Sequence, residues 1–376
     1  MKYLGMILLL LSLTLALPQI ATTGGDPYRI RAAQVFYTPS KDYKGFEEEI
    51  KRIKSQGINT IIFRVFGNKG DRVHGIVKRG KEIGVYYSTS HAPVIEDILG
   101  KVVEISHSQG IRLFAWMTTR DAIYGASEDM LDREFSIPAG KETTIPRLDL
   151  FNPKSLRYLE GLYLDLGRYP IDGVLFQDDL TIKQMEALGT SARLEFLLDF
   201  KRALDPKRMY REIELKPDGR IERIVYTEEF WRWAMWKNKR LLEVAKDLTR
   251  ILKGRNPRIK TALNATYELF RRPENTLAWQ SHNTDLAKEF DYVALMTYQH
   301  QMMEELGANR SEVETLIKNI TENAIRKMGD PKRVIMKIQT INWGNREPIP
   351  EEEINATYRS IDSVSPEVGV AFVPWN

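Results

Sequence analysis

The sequence contains no cysteine. That excludes disulfide staples, thiolate-ligated zinc, iron–sulfur clusters and a thiol nucleophile, and with them a lipid anchor attached through an N-terminal cysteine. Histidine is scarce. The five residues are His74, His91, His107, His282 and His300, and none stands in an H-E-x-x-H or similar local pair. No metal and no other cofactor is therefore expected. A surplus of one charge is missing too: Lys plus Arg is 55 against 51 for Asp plus Glu, and the resulting +4 is spread along the chain. That is no footprint for a nucleic acid. Beyond the first seventeen residues, no apolar run is long enough to cross a bilayer. What is present is 376 residues, 43% hydrophobic and 28% charged. This is enough for a large core, and the length fits two domains or one barrel of roughly 250 residues with insertions.

The one long apolar run opens the chain. Lys2 precedes an apolar-rich stretch over 4–17, followed by Pro18. The run is short for a membrane span of about 20 residues and suits the apolar region of an export signal. The expectation is a signal peptide or N-terminal anchor over 1–21, a linker over 22–30 and an exported protein, whether periplasmic, extracellular or held at the outer face of the membrane. A cleavage after Ala21 would place Gln19 where a small residue is preferred. Membrane contact is expected only through this segment, and no protein partner is legible.

From Arg31 onward short β-rich runs alternate with longer helical ones. Strands are predicted over 31–38, 58–66, 111–118, 171–177, 258–265, 292–298, 334–341 and 369–374. Helices are predicted over 46–55, 94–108, 153–167, 228–252, 281–289, 312–327 and 351–360. Nearly continuous apolar strands separated by amphipathic helices imply a parallel sheet buried on both faces. The helix-stop glycines Gly57 and Gly110 stand directly before Ile58 and Ile111. Eight strands in order predict an α/β fold, a (β/α)8 barrel over 31–376, with insertions after strands two and four. A doubly wound open sheet shares the pattern. The second insertion, over 212–225, alternates apolar and charged residues around Pro217-Asp218-Gly219, which reads as a β-hairpin.

In such a barrel the chemistry lies at the C-terminal ends of the strands. There the sequence places Arg64, Trp116, Asp178, Asp179, Asn264, Tyr267, Tyr298, Gln339 and Trp343. Aromatic rings stack on sugar faces, amides and carboxylates bond hydroxyls, and paired carboxylates cleave glycosidic bonds. Asp178-Asp179 is the sharpest element, since two adjacent acids ending an apolar strand are costly to desolvate without a partner. Strand alternation turns them to different sides, so only one is expected to point straight into the mouth; the alternative is that one of the pair caps the following helix. Glu186 is a candidate second carboxylate, and Glu304 and Glu305 are further ones. Trp231, Trp233 and Trp236 lie at helical spacing, where packing is the commoner role.

The same residues resemble a known family, the C-terminal glycoside-hydrolase domain of PgaB, the poly-β-1,6-N-acetylglucosamine deacetylase. The resemblance runs from about Ala33 to Pro374. It is carried by FGNKGD at 66–71, Arg147-Leu148 with Phe151-Asn152-Pro153, IDGVLFQDD at 171–179, KTALN at 260–264, Ala278-Trp279-Gln280, DYVALM at 291–296 and IQTINW at 338–343. It implies a TIM-like barrel that binds, and in some members cleaves, partly deacetylated poly-β-1,6-glucosamine, and it adds Arg147 and Trp279 to the cleft. There is no room for a deacetylase domain. Three positions depart from the family pattern: Gln177 replaces a histidine, Gln184 an acid, and Asn342 an aspartate. On this reading Asp178, Asp179 and Glu186 carry the chemistry. A catalytically silent glycan-binding barrel that guides polymer during export, or a hydrolase of another polysaccharide, are the alternatives.

Overall fold

The computed structural model describes residues 29–78 and 81–375. The leader expected over 1–21, and the linker as far as residue 28, lie outside the described residues. Eight parallel strands close into a barrel in chain order: β1 Arg31–Val35, β2 Thr60–Arg64, β3 Arg112–Met117, β4 Gly173–Phe176, β5 Lys260–Thr266, β6 Tyr292–Met296, β7 Val334–Gln339 and β8 Gly369–Trp375. This is the predicted (β/α)8 architecture, and β1 pairing with both β2 and β8 removes the open-sheet alternative. Arg29 and Ile30 already belong to the barrel. Arg29 donates to the Val368 carbonyl at 2.8 Å and pairs with Asp362 at 2.7 Å.

The helices form where the sequence supplies a cap and an apolar stripe. Arg310–Met328 opens with a capping box of Asn309 and Glu312 and stops at Gly329, φ 79°. It buries Val313, Ile317, Ile320, Ala324 and Met328 on one face. Glu228–Arg255 is capped by the Thr227 hydroxyl and carries Glu228 and Glu229 in its first turn, where the helix dipole favours them. Its Trp233 is fully buried, and Trp236 is stacked on Phe151 at 4.3 Å, so both are packing residues. Two predicted helices shorten. The one expected over 94–108 is helical over Leu99–Ser108. The one expected over 281–289 is Thr284–Lys288, because Ser281 (φ 55°) ends an unforeseen helix, Pro273–Gln280, and Asn283 caps the next.

Two hairpins are inserted between barrel strands. Tyr210–Leu215 and Ile221–Tyr226 pair antiparallel around the Pro217-Asp218-Gly219 turn. A second hairpin, Leu131–Ser136 with Lys141–Leu148, follows β3 and was not foreseen. Its sequence signal is the Pro138-Ala139-Gly140 turn, with Gly140 at φ 63°.

The register decides which side chains fill the lumen. Phe114 of β3 lies 6.1 Å from Tyr292 of β6, across two intervening strands, so both point inward. Gly173 leaves the space that the Phe114 ring takes, and a Cβ there would come within 2.6 Å of it. Following paired residues around the barrel from Phe114 puts Gln34, Ile62, Asn264, Ala294, Lys337 and Ala371 on the same inward side. Outward residues meet helices, as Phe63 meets Phe46 and Phe176 meets Tyr163. Barrel lumens are usually packed with branched apolar residues. Here Gln34, Asn264 and Lys337 bring polar groups into it.

Candidate active site

Asp178 and Asp179 end β4 and diverge, as strand alternation requires. Asp179 is 4% exposed and turns toward the loop after β3. It accepts hydrogen bonds from the Thr118 hydroxyl (2.6 Å), the Thr119 amide (2.8 Å) and hydroxyl (2.7 Å), and the Asp121 amide (2.8 Å). It therefore clamps the turn and does not line the cavity that Asp178 faces. Asp178 faces a cavity of about 650 Å³ lined by Tyr267, Trp279, Tyr298, Glu268 and Glu305 among others. Burial, then the neighbouring Asp179 charge, raises the Asp178 carboxyl above the ordinary range, against Lys337 and Arg147.

Asp121 is a site carboxylate that the sequence reading missed. It follows β3 by four residues, its side chain is 39% exposed, and Arg147 stands 3.5 Å from it. Burial and the Asp179 charge bring it up to about 6, with Arg147 and Arg120 opposing. The strand-end rule would have found it had β3 been followed three residues beyond Thr118. Asp121 and Asp178 thus flank Asp179, and the cavity extends from Asp178 toward the loops after β5 and β6.

Glu186 is held differently from a free catalytic carboxylate. It is 2% exposed, pairs with the fully buried Arg120 at 2.5 Å and accepts from the Lys183 amide at 2.9 Å. Burial alone would raise it, but Arg120, the Lys183 amide and Arg147 outweigh burial and hold it below the usual range. Arg120 also binds Asp132 at 2.6 Å, and Lys237 donates to the carbonyls of Lys183 and Gln184 at 2.7 and 2.8 Å. This buried network fixes the loop after β4, including Ala187 at φ 72°. Glu186 supports the site from beneath.

The remaining expected cleft residues divide into two groups. Tyr267, Trp279 and Tyr298 line the cavity. Trp279 is 50% exposed at its rim, and Trp343 lies edge-on to Tyr298 at 5.5 Å. Burial raises the Tyr298 hydroxyl far above its ordinary value, with the Asp178 charge adding to it. Arg147 joins Asp121 to Glu186, the latter at 3.9 Å. Others brace the mouth from below. Trp116 donates its indole N–H to the Gln177 amide oxygen. Arg64 pairs with Asp71 at 3.2 Å and donates to the Arg72 carbonyl, holding the loop after β2. Gln339 is buried and spans the Ile341 carbonyl and the Gln301 amide. Asn264 is buried in the lumen. Glu304 is not a lining residue: helix Gln299–Leu306 turns it outward toward His300 and presents Glu305 to the cavity. Of the departures, Asn342 anchors its own loop through the Gly344 amide at 2.7 Å and lies 3.0 Å from the His300 ring nitrogen.

A cavity with an unpaired carboxyl, a second carboxylate on its flank and aromatic walls has the composition of a glycoside-cleaving site. The comparisons agree at the level of fold. The chain is similar to the PgaB (BpsB) glycoside hydrolase domain of Bordetella bronchiseptica, with a TM-score of 0.71 at 20% identity over 92% of this chain and 94% of that one. It is also similar to a β-galactosidase from Marinomonas ef1, TM-score 0.60 at 12% identity, over 92% of this chain and 54% of that one. The catalytic domain of β-amylase from Paenibacillus polymyxa aligns with a TM-score of 0.57 at 10% identity over 92% of each. No curated protein matches the sequence. The resemblance to the PgaB glycoside-hydrolase domain therefore holds in three dimensions, and because the family profile matches residues 37–368, the chain belongs to hypothetical glycosyl hydrolase family 13.

Proposed function

We propose that the protein is an exported glycoside hydrolase acting on partly deacetylated poly-β-1,6-N-acetylglucosamine or a related amino-sugar polysaccharide. The observation that carries the reading is Asp178, a carboxyl raised above its ordinary range in a cavity walled by Tyr267, Trp279 and Tyr298. A carboxyl held above its ordinary range by burial and a neighbouring acid is suited to donate a proton to the leaving glycosidic oxygen. Asp121, brought up to about 6, is mostly ionised at neutral pH and suits the partner role of base or nucleophile. Asp179 positions both. The apolar N-terminal run supports export. The cationic amino sugar is supported by Glu305, which accepts from Gln301 and Tyr267 and, among the described residues, brings to the cavity a carboxylate with no ion-pair partner.

A catalytically silent glycan-binding barrel is the second reading, favoured by the commitment of Glu186 to Arg120. Incubation with deacetylated poly-β-1,6-glucosamine, followed by assay of new reducing ends, separates the two. Cleavage lost in Asp178→Asn by about 10²–10⁴-fold, with glycan binding retained, is the expected result. Binding with no cleavage by the wild type would sink the enzymatic reading.

A further inference from the structure

The insertion between β4 and β5 carries an apolar surface that nothing in the chain covers. Among the described residues, eight of the ten large hydrophobic side chains left exposed lie between Leu194 and Met235. Helix Thr190–Phe200 has two apolar stripes. Ala192 and Phe196 are buried, with Phe196 edge-on to Trp236 at 5.4 Å. Leu194, Leu197 and Leu198, at i, i+3 and i+4, form the second stripe, which faces solvent; Leu198 is 58% exposed. The helix runs antiparallel to Glu228–Arg255. Glu195 pairs with Arg240, Asp199 accepts the Trp236 indole N–H at 2.9 Å, and Arg202 lies 3.2 Å from Glu229. That order sets the exposed Trp231 and Met235 level with the last turn of the shorter helix, where Leu197, Leu198 and Phe200 are exposed. Leu215 and Ile221, opposite each other in the hairpin, are exposed as well. Scattered apolar residues on a surface need no explanation, but a helix with apolar stripes on opposite faces does.

The same insertion is basic. Over 201–223, eight Lys and Arg stand against five Asp and Glu, a surplus of three in a chain whose whole surplus is +4. All eight cations are exposed. Glu229, Asp218 and Glu214 take up Arg202, Arg220 and Arg223. The other five, Lys201, Lys207, Arg208, Arg211 and Lys216, form no ion pair among the described residues, and the acids left beside them are Asp205, Glu212 and Glu222. We propose that this face docks on an anionic phospholipid surface. The leucines, Phe200 and Trp231 enter the boundary between headgroups and acyl chains, and the free Lys and Arg meet the phosphates. Tryptophan, apolar in its rings and polar at its N–H, suits that depth. A second copy of the chain fits less well, because a two-fold axis through the patch would set one basic surplus against another. The apolar run over 4–17, read as an export signal or an anchor, leads the chain to a membrane in either case. The inference goes beyond the hydrolase reading and does not depend on it.

The absence of cysteine supplies the test, since one introduced thiol is a unique labelling site. The full chain carries a polarity-sensitive nitrobenzoxadiazole at Leu198→Cys or, as a control, at the exposed Glu322→Cys on helix Arg310–Met328. The N-terminal run is the same in both, and each label reads only its own surroundings. With vesicles of phosphatidylcholine and phosphatidylglycerol, the label at 198 should shift to the blue and be quenched by spin-labelled acyl chains, while the label at 322 stays aqueous. Lys201→Gln, Lys207→Gln and Arg208→Gln combined should raise the lipid concentration for half-response about 10²-fold. Leu194→Ser with Leu197→Ser should raise it about tenfold or more, with the unfolding midpoint unchanged because both side chains are exposed. No shift at 198, an equal shift at 322, or an equal response on pure phosphatidylcholine overturns the proposal. So does a label at 198 already shielded without lipid in a protein that sediments at twice its monomer mass, which would assign the face to a second copy.

Discussion

Arg120 and Glu186, 66 residues apart in sequence, form a 2.5 Å ion pair in which neither side chain reaches solvent. The pair joins the turn after β3 to the loop after β4, the two segments that carry Asp121 and the Asp178-Asp179 step. Geometry at the mouth therefore depends on charges beneath it.

Glu186→Ala should behave as a structural lesion. It leaves Arg120 buried with Asp132 as its remaining acid, and breaking such a pair costs about 3 kcal/mol or more. Denaturant unfolding should show that loss. At a temperature where the variant stays folded, kcat should remain within about tenfold of wild type, whereas loss of a catalytic acid or base costs about 10²–10⁴-fold.

The acidic limb of kcat/KM should reflect Asp121. The carboxyl must be ionised to act as base or nucleophile, and burial with the Asp179 charge brings it to about 6. Activity should fall as pH drops through about 6, not 4. Arg147 opposes the shift, so Arg147→Met should move this limb upward. A limb that stays near 4 in both proteins would remove Asp121 from the role.

Trp279 should contribute binding and little stability, since it is half exposed on the cavity rim. Trp279→Ala should leave the unfolding midpoint nearly unchanged and weaken oligosaccharide affinity by roughly 0.5–1.5 kcal/mol, the usual worth of an aromatic stacking contact. Calorimetric titration with amino-sugar oligomers measures it. Equal affinity in the variant would place the glycan elsewhere.

His282 should make stability depend on pH. It is buried, its ring nitrogen lies 2.6 Å from the Leu180 carbonyl oxygen, and burial lowers it to about 4 from 6.5. The unfolded chain takes up a proton below pH 6.5 that the folded chain refuses until about pH 4. Stability from this residue is thus complete above 6.5 and is lost as pH falls toward 4. Relative to His282→Gln, the wild type should lose about 1.4 kcal/mol per pH unit inside that window. Parallel curves for the two proteins would contradict the assignment.

Much of this architecture is legible in the sequence. The eight apolar runs and the glycines before Ile58 and Ile111 are local signals, and each describes a physical preference of its own few residues. The hairpin after β3 escaped because Leu131–Ser136 and Lys141–Leu148 are half exposed and lack the continuous apolar run that marks the barrel strands. The Asp178-Asp179 step stood out because two adjacent acids at the end of a buried strand need a reason wherever the strand lies.

What the sequence could not assign was the use of each charge. Glu186 looked as free as any loop glutamate until Arg120, from another loop, was brought against it. Glu304 and Glu305 are adjacent in sequence, and the pitch of one short helix sends only the second into the cavity. Lys337 interrupts the apolar run VIMKIQ, and that interruption is visible in the sequence, but only barrel closure turns its side chain into the lumen. The sequence by itself determined the barrel, the strand ends and the kind of chemistry they could host, because hydrophobic period and turn residues act locally. Only the tertiary structure decided which carboxylate is clamped, which is paired and which is left facing the cavity, because desolvation and Coulomb interactions act between residues that the chain alone does not bring together.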